Sequence, residues 1–99
     1  PQGRGGLTAN GYLFPPDAVF DEDRLLAAFA RPEVVRLKGV FRCENGWIAV
    51  NRSHGETTVK PTAYRRDSRV EVFAEGLDWK AFEAEVQGFA RWLAQIKPW

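Results

Sequence analysis

Few residues in this chain are of a type that does chemistry, and their spacing limits what they can do. One cysteine (Cys43), one histidine (His54) and the neighbouring Ser53 are the candidates for a nucleophile and its base. A serine next to a histidine in a loop rarely places its Oγ against the imidazole, and Cys43 falls in an alternating apolar row, where a thiol behaves as a small hydrophobe. A zinc site needs three or four ligands, and one His with one Cys cannot close it. His54 is therefore at most a single ligand of a site shared with another domain or protein, and its plain reading is an exposed loop residue. Carboxylates cluster at Asp21-Glu22-Asp23, where a helix start favours acids, and at Glu83 and Glu85 on the solvent side of a helix. Neither group needs a catalytic explanation. No G-x-x-x-x-G-K-S/T phosphate cradle occurs, and Gly3-Arg4-Gly5-Gly6 lacks the strand before and helix after that such a loop requires. These residues predict no enzyme activity within the chain.

What remains is a row of cations. In Val34–Cys43, Val35, Leu37, Gly39, Phe41 and Cys43 alternate with Val34, Arg36, Lys38, Val40 and Arg42. A period of two predicts a β-strand with an apolar face and a face carrying Arg36, Lys38 and Arg42. Arg52, Arg65, Arg66 and Arg69 lie near strand ends. A basic sheet face binds single-stranded RNA when aromatic side chains offer stacking surfaces. Phe41 points inward, so the exposed row lacks that aromatic pair, and cross-strand acids such as Glu71 can neutralise the cations. The row speaks for docking an acidic protein surface more than for nucleic acid.

The elements that position this row follow from periodicity and turn chemistry. Asn45-Gly46 predicts a type I′ turn that folds the next strand, Trp47–Asn51, straight back as a hairpin. Thr57–Lys60, closed by Pro61, and Arg69–Glu75, ended by Gly76, read as further strands, and Tyr12–Phe14 as a short one before Pro15-Pro16. A helix over residues 24–30 with an Asp N-cap buries Leu25, Leu26 and Phe29, and Arg31-Pro32 stops it. Asp78 caps a second helix whose apolar positions Trp79, Phe82, Val86, Phe89, Leu93 and Ile96 recur at helical spacing up to Lys97-Pro98. Residues 1–11, with four glycines and few apolar side chains, read as a flexible linker or tail, leaving 12–99 as the folded domain. The expectation is an α+β two-layer sandwich: about four mostly antiparallel strands with two helices on one face, of ferredoxin-like character. Trp92 and Trp99 are expected at the partly exposed edge of the core.

Bulk composition fits one small domain. The chain has 99 residues, 44% of them hydrophobic, and a net charge of +1, so any basic behaviour is local. A lone cysteine excludes an intrachain disulfide and suits a reducing, cytoplasmic compartment. No apolar run reaches the roughly 18 residues of a membrane span. The chain begins with Pro1 and contains no methionine, which points to a piece of a longer protein.

Arg36-Leu37-Lys38-Gly39-Val40-Phe41, the Trp47 just after a turn, the strand Val70–Ala74 and the helix opening Leu77-Asp78-Trp79 together resemble the C-terminal domain of the CobW family. Those proteins are GTP-dependent metallochaperones, named for cobalamin synthesis and including zinc-handling members. The resemblance covers roughly residues 12–95, and Arg36-x-Lys38-Gly39 within a strand is its most specific element. It implies a non-catalytic accessory or regulatory domain with no cofactor of its own. GTP and a divalent metal, zinc or cobalt, would belong to the parent protein, whose N-terminal domain carries the GTPase and the Cys-rich metal motif. The implied partners are that GTPase domain and a metalloprotein client. Many members carry a His-rich segment in or before this domain, whereas here only His54 is present. Gly39, lacking a side chain in the buried row, is expected to let a helix aromatic (Trp79, Phe82 or Phe89) pack onto the backbone. The alternative is a free-standing small α+β module binding single-stranded RNA or a small ligand.

Overall fold

The computed structural model describes residues 2–4 and 6–92. In chain order the elements are β1 (Gln2–Arg4), β2 (Leu7–Leu13), β3 (Ala18–Phe20), α1 (Glu22–Phe29), β4 (Val34–Cys43), β5 (Gly46–Ser53), β6 (Glu56–Pro61), β7 (Arg69–Glu75), α2 (Trp79–Gly88) and β8 (Ala90–Trp92). The strand whose alternation was clearest, β4, is the axis of the sheet. Antiparallel β5 runs along one edge from Arg36 to Cys43, with β6 beyond it. Antiparallel β7 holds the other edge from Val34 to Val40, followed outward by β2 and β1. Past the end of β7, β3 joins β4 in parallel at Cys43 and carries β8 on its far side.

The domain is thus α+β with both helices on one face of a mixed sheet. The expected four strands become eight among the described residues, because short segments with little sequence signal complete the edges. β2 and β4, joined through α1, are both antiparallel to β7, which lies between them as in a split β-α-β unit, but α2 leads to β8 beside β3 and not to the outer side of β2, so the expected ferredoxin-like order is not completed.

Helix starts fall where capping chemistry places them. Asp21 accepts a hydrogen bond from the Arg24 amide at 3.2 Å, and Asp78 from the Ala81 amide at 3.1 Å. Leu25 and Phe29 are fully buried, and Leu26 packs at the core's margin. Phe20, Phe29, Phe41 and Phe82 form the centre, with ring centroids 5.3 Å apart for Phe20–Phe41, 5.4 Å for Phe29–Phe41 and 6.2 Å for Phe29–Phe82. These contacts clamp α1 to β4 and α2 to α1.

Four local expectations are corrected. Residues 7–11, read as tail, form most of β2, whose seven residues pair with β7 and supply the partner its outer edge needs. The helix from Asp78 ends at Gly88 instead of running to Ile96. Glycine is a poor helix former, and pairing Ala90–Trp92 to β3 satisfies another open edge. Leu93, Ile96 and Trp99 lie outside the described residues, as does the Trp92 side chain. A bulge at Val35 turns Val34 into the core, 2% exposed, and Val35 out, 36% exposed, so the alternation read from the sequence holds only from Arg36 onward. At the first hairpin Cys43 pairs with Gly46, leaving Glu44-Asn45 as the turn. Gly46 takes positive φ (129°) while Asn45 does not, so the type I′ turn on Asn45-Gly46 is not formed. A true two-residue turn with positive φ at both centres occurs one strand later, at His54 (52°) and Gly55 (76°), within a stretch read as loop.

Candidate protein-docking face

The registers of β2, β7, β4, β5 and β6 define what the sheet shows on the side away from the helices. Three cross-strand rows follow. One reads Leu13, Arg69, Val40, Ala49, Lys60; the next Gly11, Glu71, Lys38, Asn51, Thr58; the third Ala9, Phe73, Arg36, Ser53, Glu56. Small or short side chains at Gly11, Val40 and Ala49 leave a trough of about 960 Å³ between longer neighbours, with Lys38, Lys60 and Arg69 along it.

Arg36, Lys38 and Arg42 share this face, as the alternation required, but their environments differ. The Arg36 guanidinium lies 6.0 Å from the Phe73 ring centroid, a cation–π contact. Arg42 donates through Nη1 to the Pro16 carbonyl at 3.0 Å, and its amide donates to Ser68 Oγ at 2.9 Å. Lys38 stands opposite Glu71 in register, and among the described residues it forms no ion pair.

Trp47 closes one end of the face. It is half-buried, edge-on to Tyr64 with centroids 6.3 Å apart, and its carbonyl accepts from the Thr62 amide at 3.2 Å. Tyr64 in turn donates to Asp67 at 2.8 Å, and Arg69 grips the same carboxylate through two hydrogen bonds of 2.8 and 3.0 Å. The Arg69 guanidinium and the Tyr64 hydroxyl hold the Asp67 carboxyl below the usual carboxylate range. Trp47 is therefore an anchor for the loop over residues 62–68.

Gly39 has a packing reason different from the expected one. A Cβ at this position would stand 2.7 Å from the Arg69 carbonyl oxygen and 2.9 Å from both Cβ and Cγ2 of Val70. The neighbour that needs the space is the adjacent strand and not a helix aromatic. Val70, directly across in register, leans over the glycine.

The remaining candidates are not brought together. His54 sits at the exposed tip of the β5–β6 hairpin, and no group of three or more His, Cys, Asp or Glu side chains among the described residues could hold a metal ion. Among the described residues none is therefore placed to hold the divalent metal that the resemblance assigns to the parent protein. Cys43 is 4% exposed, and burial pushes its thiol up to about 12, which removes the thiolate needed for attack or ligation.

One residue with a large structural role escaped sequence reasoning. Arg52 is 7% exposed and donates to the Val34 carbonyl (3.2 Å), Thr57 Oγ1 (3.0 Å) and the carbonyls of Gly55, Ala30 and Arg31 (3.4 Å each). It ties the β5–β6 hairpin to the C-terminal end of α1, where a cation suits the helix dipole. Continuing the inward alternation of Ile48 and Val50 one step further would have found it. Lys60 was missed as a face residue because its register depends on the unrecognised second hairpin.

Helices cover one side of the sheet and an open basic trough lies on the other, in a small α+β domain whose described residues assemble no catalytic group. The chain belongs to the CobW C-terminal family: the model described as "Cobalamin synthesis protein cobW C-terminal domain" matches residues 10–90. The chain is also 35% identical over 85 residues to the "Zinc chaperone YeiR" of Escherichia coli (strain K12), an alignment covering 80% of this chain and 25% of that protein. It thus spans about a quarter of the length of the curated relative it matches. No solved structure matches it. Among the described residues no helix is long and apolar enough to cross a membrane.

Proposed function

We propose that this chain is the accessory binding domain of a CobW-like GTP-dependent metallochaperone, contacting the GTPase domain of its own protein or a metalloprotein client through the open sheet face. The observation that carries the reading is that face: five strands wide, uncovered by either helix, and lined by Arg36, Lys38, Lys60 and Arg69 in a chain of net charge +1. Likeness to a zinc chaperone makes zinc the first metal to test for the parent protein. Nucleotide and metal would be held by the N-terminal half, and the domain itself would catalyse nothing.

The test is charge reversal in the intact protein. Arg36→Glu with Lys38→Glu weakens docking of the domain, changes GTP hydrolysis, and leaves the residual association less sensitive to salt. Association and hydrolysis unchanged in the double variant would overturn the docking role. The reading frame upstream of Pro1 supplies a second check, since the proposal requires a P-loop there.

A further inference from the structure

We propose that the trough on the open sheet face docks an extended segment of a partner protein bearing two carboxylates separated by an apolar residue. The proposal deepens the docking function above and rests on it for the identity of the face, but it names different residues. Arg36 is stacked on Phe73 and Arg42 is held by the Pro16 carbonyl, so both guanidiniums are already engaged within the domain. Arg69 is neutralised by its two-pronged pair with Asp67. Lys38 and Lys60 have no ion pair among the described residues and are exposed. They flank the apolar floor of Val40 and Ala49, with Lys38 on β4 and Lys60 two strands away on β6, one row apart.

From strand spacings of about 4.8 Å and a row step of about 6.7 Å, the two lysine Cα atoms are roughly 12 Å apart. An extended chain repeats its side-chain direction every second residue, so carboxylates at i and i+4, about 13 Å apart, match the lysines while the residue at i+2 points to the floor. Glu71, beside Lys38 on the β7 side, repels an acidic ligand there and favours a path toward β6. Single-stranded RNA fits less well. Of the aromatic rings on this side, Phe73 lies under Arg36, Tyr64 lies under Arg69, and Trp47 and Tyr64 pack edge-to-face on one another, so these rings are already engaged within the domain.

The probe is a fluorescein-labelled peptide containing Glu-Ser-Leu-Ser-Glu, titrated into the intact parent protein and read by fluorescence anisotropy at low and physiological salt. Saturable, salt-weakened binding is expected. It falls by about tenfold or more in Lys38→Glu/Lys60→Glu, and in Ala49→Trp, which fills the floor, and it is unchanged in Arg24→Glu/Lys80→Glu on the helix layer. Thermal melts verify that each variant is folded, and Lys38→Gln/Lys60→Gln replaces any that is not. Absence of saturable binding overturns the proposal, as does an equal loss in the helix-layer variant. Tighter binding of a uridine oligomer, lost in the same trough variants, overturns it in favour of RNA. If the peptide binds as expected while hydrolysis ignores Arg36→Glu/Lys38→Glu, the GTPase-docking reading falls and the trough stands. The reverse pattern removes the trough alone.

Discussion

Gly39→Ala tests how tightly β4 and β7 are joined at the one glycine in the middle of the central strand. The alanine methyl would meet the Arg69 carbonyl oxygen at 2.7 Å and Val70 Cβ and Cγ2 at 2.9 Å, all closer than real Cβ contacts come. A backbone carbonyl and a β-branched side chain are the neighbours least able to give way, so the strands must separate locally. Such overpacking costs about 1–3 kcal/mol. The φ of Gly39 is not in the left-handed region, so alanine also reduces unfolded-state entropy and regains about 0.5–1 kcal/mol. The midpoints of the two ranges leave a net loss of about 1.2 kcal/mol. For a domain of this size that lowers Tm by roughly 5–10 °C. The internal control is Gly88→Ala at the end of α2, where a Cβ meets nothing within 4 Å. The same substitution there should raise stability by up to about 1 kcal/mol through helix propensity. Urea and thermal melts of the chain measure both. A Gly39→Ala variant that melts at or above the wild type would refute the steric argument and return Gly39 to an ordinary strand position.

Two further outcomes follow from buried polar groups. Arg52→Met strands the Val34 carbonyl and Thr57 hydroxyl it serves and should cost about 2–4 kcal/mol in urea melts, while Arg52→Lys should recover only part of this, because one ammonium cannot span acceptors on α1, β4 and the hairpin. Alkaline pH should destabilise the fold. Burial raises Cys43 from 9.0 to about 12, and burial with the Glu83 charge raises Tyr12 from 10.0 to about 12. Each raised group binds its proton more tightly when folded, so its stabilisation is complete below the unfolded value and is lost as pH climbs from about 9 toward 12. Melts between pH 8 and 11 should show a falling Tm, steeper above pH 9, with iodoacetamide labelling Cys43 only on unfolding. A flat profile, or rapid labelling of the native chain at pH 8, would contradict the buried neutral thiol.

Alternation and capping were legible in the residues themselves because both are local. The register of side chains along Arg36–Cys43, the Asp21 and Asp78 caps, the α1 stripe and the strand Arg69–Glu75 depend on period and on hydrogen bonds within a few residues. From these came the α+β class, the two helices on one face and the side of the sheet that carries Arg36, Lys38 and Arg42. Membership of the CobW C-terminal family was also readable, because its motif lies within β4, where the spacing is strict.

What the sequence could not determine was decided between elements far apart in the chain. Leu7–Leu13 becomes a strand because β7 has an edge to fill, and Ala90–Trp92 leaves the helical pattern because β3 has another. Gly39 answers to Val70, and Arg52 to the end of α1, contacts that close only when the sheet twists these segments together. The docking face shows the same division. Its cations could be read along one strand, but which of them are free, and that Lys60 joins Lys38 across an apolar floor, depends on cross-strand register, a property of the assembled sheet and of no single segment.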